Sequence, residues 1–215
     1  MRSLILKDLY NIGHNAKSML FMLAVLAVIL IPTSGAPAYI IASAILCSMM
    51  IVTTFTFDDN SEWTRYAMIM PVSKKNLVAG KYVVMAIFCV IGSLFGLIVS
   101  IIAGLALRKM TFDIEGIVEL LILALVALAL SLVSGSMSIP LVFKFGAEKA
   151  RVLLVVSIFV PLAVCFGLYQ VLVLLGIELT EQLIFILLCW SPVFALVWCY
   201  LMYCICCRIF EKQEL

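Results

Sequence analysis

Apolar residues fill this chain in long runs, and charged residues stand almost only between the runs. From Ser18 to Phe57 no charged side chain occurs, and the stretch PTSGAP at 32–37 interrupts the run with Pro32, Gly35 and Pro37. A helix needs about 20 apolar residues to cross a hydrocarbon core, while proline and glycine disfavour helix and favour turns. The pattern predicts two helices, 18–33 and 37–57, joined by a tight hairpin. Four more runs follow, at 83–107, 117–143, 152–176 and 183–207, each bounded by charge. Lys81 precedes the first of these, and Arg108 and Lys109 follow it; Glu115 and Glu119 open the next, and Lys144 closes it. Arg151 opens the fifth span, Glu178 and Glu181 separate it from the sixth, and Arg208 closes the last. The expected fold is all-α: a single transmembrane domain over residues 1–215, with six transmembrane helices.

Composition agrees and adds little more. Of 215 residues, 66% are hydrophobic and 12% charged, against about 25% charged in a soluble domain. Mean hydropathy is +1.28. The net charge of +2 says nothing of nucleic acid; the placement of the charges matters more. The candidate inner segments carry Arg2, Lys7 and Lys17, then Arg65, Lys74, Lys75 and Lys81, then Lys144, Lys149 and Arg151, then Arg208 and Lys212, leaving only Arg108 and Lys109 outside. The positive-inside rule therefore predicts both termini, and the polar segment 58–82, in the cytoplasm. Residues 1–17 lack a compact apolar core with a cleavage site, so they are expected to be retained. Leu4, Ile5, Leu6, Leu9, Tyr10 and Ile12, interleaved with Lys7 and Asp8, predict an amphipathic helix at the membrane surface.

Several chemistries are disfavoured. No ionisable residue is expected near the centre of a span, where ion-coupled transport needs one; Gln170 is the most polar large side chain there. The single histidine, His14, lies outside the spans, and no G-x-x-x-x-G-K-[ST] phosphate loop occurs. Cys204, Cys206 and Cys207 lack the paired spacing of a zinc site and are read as small hydrophobes. The chain is expected not to be an enzyme, to hold no cofactor and no metal, and to draw any energy from another polypeptide. Small residues do recur with a pattern. Gly92, Gly96, Ser100 and Gly104 share one helix face at intervals of four, and Ser131, Ser134, Gly135, Ser136 and Ser138 precede Pro140. Close helix packing is the first reading of both stripes; lining a translocation path is the second.

The long polar passage FTFDDNSEWTRYAMIMPVSKKNLVAGKY, residues 55–82, asks for a separate explanation. Asp59 with Glu62 three residues on fits a capping box, and Asp58, Asp59 and Glu62 suit the positive end of a helix dipole. Trp63, Tyr66, Ala67 and Met70 then share a face, Pro71 stops the helix, and Ser73 caps the next one, through Lys74, Lys75 and Lys81. Such a short amphipathic helix either anchors at the lipid interface or presents Trp63 and Tyr66 to a protein partner. FKFGAEKAR at 143–151 is a weaker candidate contact on the same side.

The motif F-x-x-D-D-x-x-x-W-x-x-Y-x-x-x-x-P-V-S-K-K-x-x-V-x-x-K-Y resembles the permease subunits of bacterial ABC-2 type exporters, particularly small permeases of phenol-soluble modulin export and bacteriocin-immunity systems. Asp58, Asp59, Trp63, Tyr66, Pro71, Val72, Ser73, Lys74, Lys75, Val78, Lys81 and Tyr82 carry the likeness. Chain length and the six-helix layout extend it over the whole protein. Glu62 departs from it, because members of that family often carry glycine before the tryptophan. The resemblance implies that 58–82 is a cytoplasmic coupling loop docking a separate ATPase through Asp58, Asp59, Glu62, Trp63, Tyr66, Met70, Pro71, Lys74 and Lys75. It also implies that 1–17 is an interfacial elbow helix. Two ATPase subunits, carrying ATP and Mg, would pair with two permeases, either a homodimer or sister chains, in a bacterial plasma membrane. An amphipathic peptide or other hydrophobic substrate would be exported. The competing expectation is a non-transporting membrane anchor or immunity protein that binds a toxin or partner.

Overall fold

The computed structural model describes residues 2–63, 66–67, 73–106, 114–146, 156–161, 163, 166–167, 170, 174 and 181–212. Helix is the only regular secondary structure among them. It is organised as α1 (Arg2–Asn60), α2 (Lys74–Ala106), α3 (Ile114–Phe145) and α4 (Glu181–Lys212). Beyond Gly146, the described positions between α3 and α4 are helical as well; the remainder of the predicted fifth span, 152–176, lies outside the described residues. Among the described residues, four stretches are long and apolar enough to cross a membrane: Asn15–Asn60, Lys74–Leu105, Gly116–Phe145 and Leu187–Phe210. In lipid every backbone N–H and C=O must find its partner within the protein, and a helix satisfies them locally, so apolar runs of this length become helices.

The first of these stretches is folded in two. Gly35 has φ 85° and ψ 174° inside α1, a backbone region that essentially only glycine adopts. A Cβ there would meet Pro37 Cδ at an ordinary 3.5 Å; it is the dihedral, rather than space, that requires glycine. The two arms come back alongside one another. Tyr39 Oη donates to Leu23 O at 3.3 Å across 16 residues, which would be about 24 Å apart along a straight helix. The predicted hairpin is thus a single-residue break rather than a turn spanning 34–36. At the other end the predicted elbow is not a separate element. From Arg2 onward it continues without a break into the first apolar arm, because nothing between Ser3 and Ile31 breaks a helix except the single Gly13.

The small-residue stripe of α2 explains how the second arm of α1 and α2 approach. A Cβ on Gly92 would meet Cys47 Cβ at 2.6 Å and Ser43 O at 3.0 Å, and one on Gly96 would meet Ile40 Cα at 3.1 Å and the Ser43 hydroxyl. Ser43 Oγ donates to Gly92 O at 3.2 Å, and Ser100 Oγ donates to Ala36 O at 3.4 Å. Gly104 is buried on the same line. Absent side chains let the backbones close up, and hydroxyls then bond across the contact. On α3, Ser131, Ser134, Ser136 and Ser138 are buried. Their hydroxyls donate to carbonyls of their own helix one turn back, so they pack as small, satisfied groups. Gly135 lies beside Met85 and Ser48, and Tyr82 Oη donates to Ser136 O at 3.3 Å.

The larger core gathers Ile12, Phe55, Val78, Tyr82, Phe88, Val142 and Phe210 near one end of the bundle. Phe55 meets Phe143 edge-on at 5.0 Å and Phe143 meets Phe210 at 4.8 Å. These contacts bring the start of α1, its end, the start of α2, the end of α3 and the end of α4 to that one end. Elsewhere the surface is apolar, with Phe21, Val28, Leu94, Ile102, Phe194 and Leu196 exposed, as a surface solvated by lipid should be.

Candidate functional site

The segment joining α1 to α2 is built differently from the expectation. α1 continues through Asp58 and Asp59 to Asn60, so these aspartates close a helix instead of opening one. Apolar Phe55 and Phe57 keep the pattern helical up to them. Ser61 N–H donates to Phe57 O at 3.1 Å, and Glu62 N–H donates to Asp59 O at 3.2 Å. Glu62 stands in the left-handed region at φ 50°, which ends a helix sharply. The predicted Asp59–Glu62 capping box is therefore corrected: the pair spans a helix end. Trp63, Tyr66 and Ala67 are helical again, with Tyr66 N–H donating to Glu62 O at 3.4 Å.

Asp58 would be unfavourable at a helix C-terminus on its own, since that end carries partial negative charge. Its surroundings reverse this. Lys81 Nζ donates to Asp58 Oδ2 at 2.6 Å and to Thr54 Oγ1 at 3.0 Å, and stands 3.0 Å from Asp8 Oδ2. Lys7 Nζ pairs with Asp58 Oδ1 and lies 3.3 Å from Asp8 Oδ1. Lys81 and Asp8 are each 3% exposed and Asp58 is 5%. Two cations and two anions thus neutralise each other, three of them buried and Lys7 with 25% of its side chain exposed. Burying charge is costly unless it is paired and hydrogen-bonded, and here each carboxylate has two ammonium neighbours. Lys81 Nζ also lies 4.7 Å from the centre of the Phe55 ring.

The cluster reaches the loop. Lys7 Nζ lies 4.4 Å from the centre of the Trp63 ring, within cation–π range. Trp63 is half-buried, Ala67 points inward, and Tyr66 is 59% exposed; the expected common face is thus split, with Tyr66 as its outward residue. Met70 and Pro71, also expected at this face, lie outside the described residues. Ser73 caps α2 as predicted, its Oγ accepting from Asn76 N–H at 3.3 Å. Lys74 turns inward: its Nζ donates to Phe210 O at 3.4 Å in the last turn of α4. Lys75 and Asp59 are on the exposed side. Nearby, α3 ends at Gly146, whose φ of 81° and N–H bond to Val142 O at 2.8 Å cap the helix, with Lys144 and Phe145 exposed.

Lys7, Asp8, Thr54 and Lys81 were not singled out as a site by sequence reasoning. A signal existed. Asp8 falls with Leu4, Ile5 and Ile12 at helical spacing, and Lys81 with Val78, Met85 and Phe88, so each puts a charge on a stripe that ought to be apolar. Far from this end, an apolar cleft of about 500 Å³ lies between α3 and α4, lined by Val118, Ile122, Val126, Phe185 and Leu188, with Glu119 at its wall.

Residues 3–211 match the family model described as ABC-2 family transporter protein. No curated protein and no solved structure matches the chain.

Proposed function

The chain belongs to the ABC-2 family of transporter proteins, a multi-pass protein of the plasma membrane, and from that premise we propose that it is the permease subunit of an ATP-driven exporter. Membership implies an ATP-binding partner. The observation that carries the reading is the turn that follows α1, where Tyr66 is exposed and half-buried Trp63 lies against the Lys7 ammonium, 4.4 Å from its ring centre. A side chain tied in this way to α1 can pass force to the bundle. In this reading the bundle makes six passes with both termini cytoplasmic. The turn docks a separate ATPase, two of which serve two permeases, and ATP with Mg is bound there and not on this chain. The cargo is an amphipathic peptide or another hydrophobic molecule, and the small-residue faces of α2 and α3 allow the helices along its route to slide.

The test is capture of the tagged protein from its native membrane in mild detergent. Wild type is expected to bring down an ATP-binding subunit, and Trp63→Glu to lose at least about tenfold of it, as for an interface anchor, while still inserting. Capture of no such subunit, even after crosslinking, would sink the exporter reading in favour of a non-transporting anchor or immunity protein.

A further inference from the structure

The four-charge cluster is placed where the docking reading needs something it does not supply: a reason for Trp63 to stay in one orientation. Trp63 follows directly on Glu62, the left-handed residue that breaks the helix, so its own backbone ties it only weakly to α1. What holds its ring face is a residue 56 positions earlier in the chain, with Lys7 Nζ 4.4 Å from the ring centre. Lys7 is itself fixed, because Asp58 and Asp8 hold its ammonium from the other side. Those carboxylates are fixed by Lys81 on α2. An unbroken set of contacts thus runs from the indole through the first helix to the start of α2.

We propose that Lys7 is a positioning residue for Trp63, so that the N-terminal helix sets the stance of the docking turn. This rests on the proposed docking role of the turn. Physically, an ammonium already held by two carboxylates has little rotamer freedom left to lose by lying over an indole face, whereas a free lysine must give up its rotamers to do so. The cluster prepays the ordering. Displacing Trp63 then pulls on Lys7, and with it on both carboxylates, so movement at the turn is passed to α1 and α2 together. Leu6 and Tyr10, exposed on the adjoining part of the same helix, move with it.

The experiment uses the full chain in lipid nanodiscs with Trp190→Phe and Trp198→Phe, leaving Trp63 as the single tryptophan. Iodide quenching and the emission maximum of Trp63 are compared in the Lys7 parent, Lys7→Met and Lys7→Arg. Lys7→Met with Asp8→Asn keeps the cluster neutral, and guards against a general loss of fold that circular dichroism would show. The expected result is about twofold or steeper quenching and a red-shifted maximum in both methionine variants, with Lys7→Arg close to the parent, because arginine also stacks on indole. Unchanged Trp63 emission in Lys7→Met overturns the proposal, since the ring would be held by something else. Capture of the ATP-binding subunit is measured on the same proteins. It should fall severalfold in both methionine variants and return with Lys7→Arg. Equal capture by Lys7→Met despite a displaced Trp63 also overturns it. Absence of capture by the parent defeats the docking reading instead, and leaves the fluorescence result to decide the positioning of Trp63.

Discussion

At the scale of single residues, Glu62 bears the clearest strain in the site. Its φ of 50° is costly for a residue with a Cβ, by roughly 1–2 kcal/mol, and it stands where the resembling permeases often carry glycine. Glycine adopts this conformation freely but has more unfolded-state entropy to lose, roughly 0.5–1 kcal/mol. Glu62→Gly is therefore expected to match or slightly exceed the wild type in thermal unfolding in detergent. Glu62→Val, β-branched and ill-suited to positive φ, should lose about 1 kcal/mol or more. The reverse order would mean that the left-handed turn is not kept in solution.

Elements are held together by two devices, a backbone break and a buried charge cluster. Gly35 allows α1 to reverse, and Gly35→Ala should cost about 1–3 kcal/mol of stability, the range for forcing a side chain into that region. Full stability in this variant would show that the arms can turn elsewhere within PTSGAP. The cluster makes a sharper forecast through non-additivity. Lys81→Met strands two carboxylates with one ammonium and should cost about 3–5 kcal/mol. Adding Asp8→Asn removes one of the stranded charges and should recover a sizeable part of that loss. A double-mutant cycle over Lys81 and Asp8 reads the recovery directly; additive losses would mean that the two residues do not share one charge balance. The same cluster explains why α1 can carry aspartate in its last turn, against the helix dipole: Asp58 answers cations from the start of α1 and from α2.

For the whole molecule, side is the decisive property. The turn, the ends of α3 and α4 and the start of α1 lie at one end of the bundle, and basic residues concentrate in the segments there. Positive charge is retained on the cytoplasmic face, so Tyr66→Cys should react with a membrane-impermeant maleimide in inverted vesicles and not in right-side-out ones, each read against the parent chain. Labelling from outside would put the turn beyond reach of any ATPase. The lipid-facing remainder has no such signature, since lipid solvates every apolar helix face alike.

The sequence by itself determined the all-helical character of the described residues and the interruption within 32–37, because a membrane leaves the backbone no choice but to satisfy itself within each segment. It also marked the faces of Gly92, Gly96 and Ser100, and of the α3 serines, since periodicity along one helix is local information. The cap at Ser73 was legible for the same reason. Tertiary structure alone decided what the aspartates of the loop do. Residues 58–60 have a helix-opening pattern when read locally, yet lysines from positions 7 and 81 draw Asp58 into a buried cluster and carry α1 past it. It also decided that Lys74 turns inward to the end of α4, and that the N-terminal helix runs on into the first arm instead of standing apart. Charge pairing acts through space between distant segments, and a linear pattern records the charges without recording which of them meet.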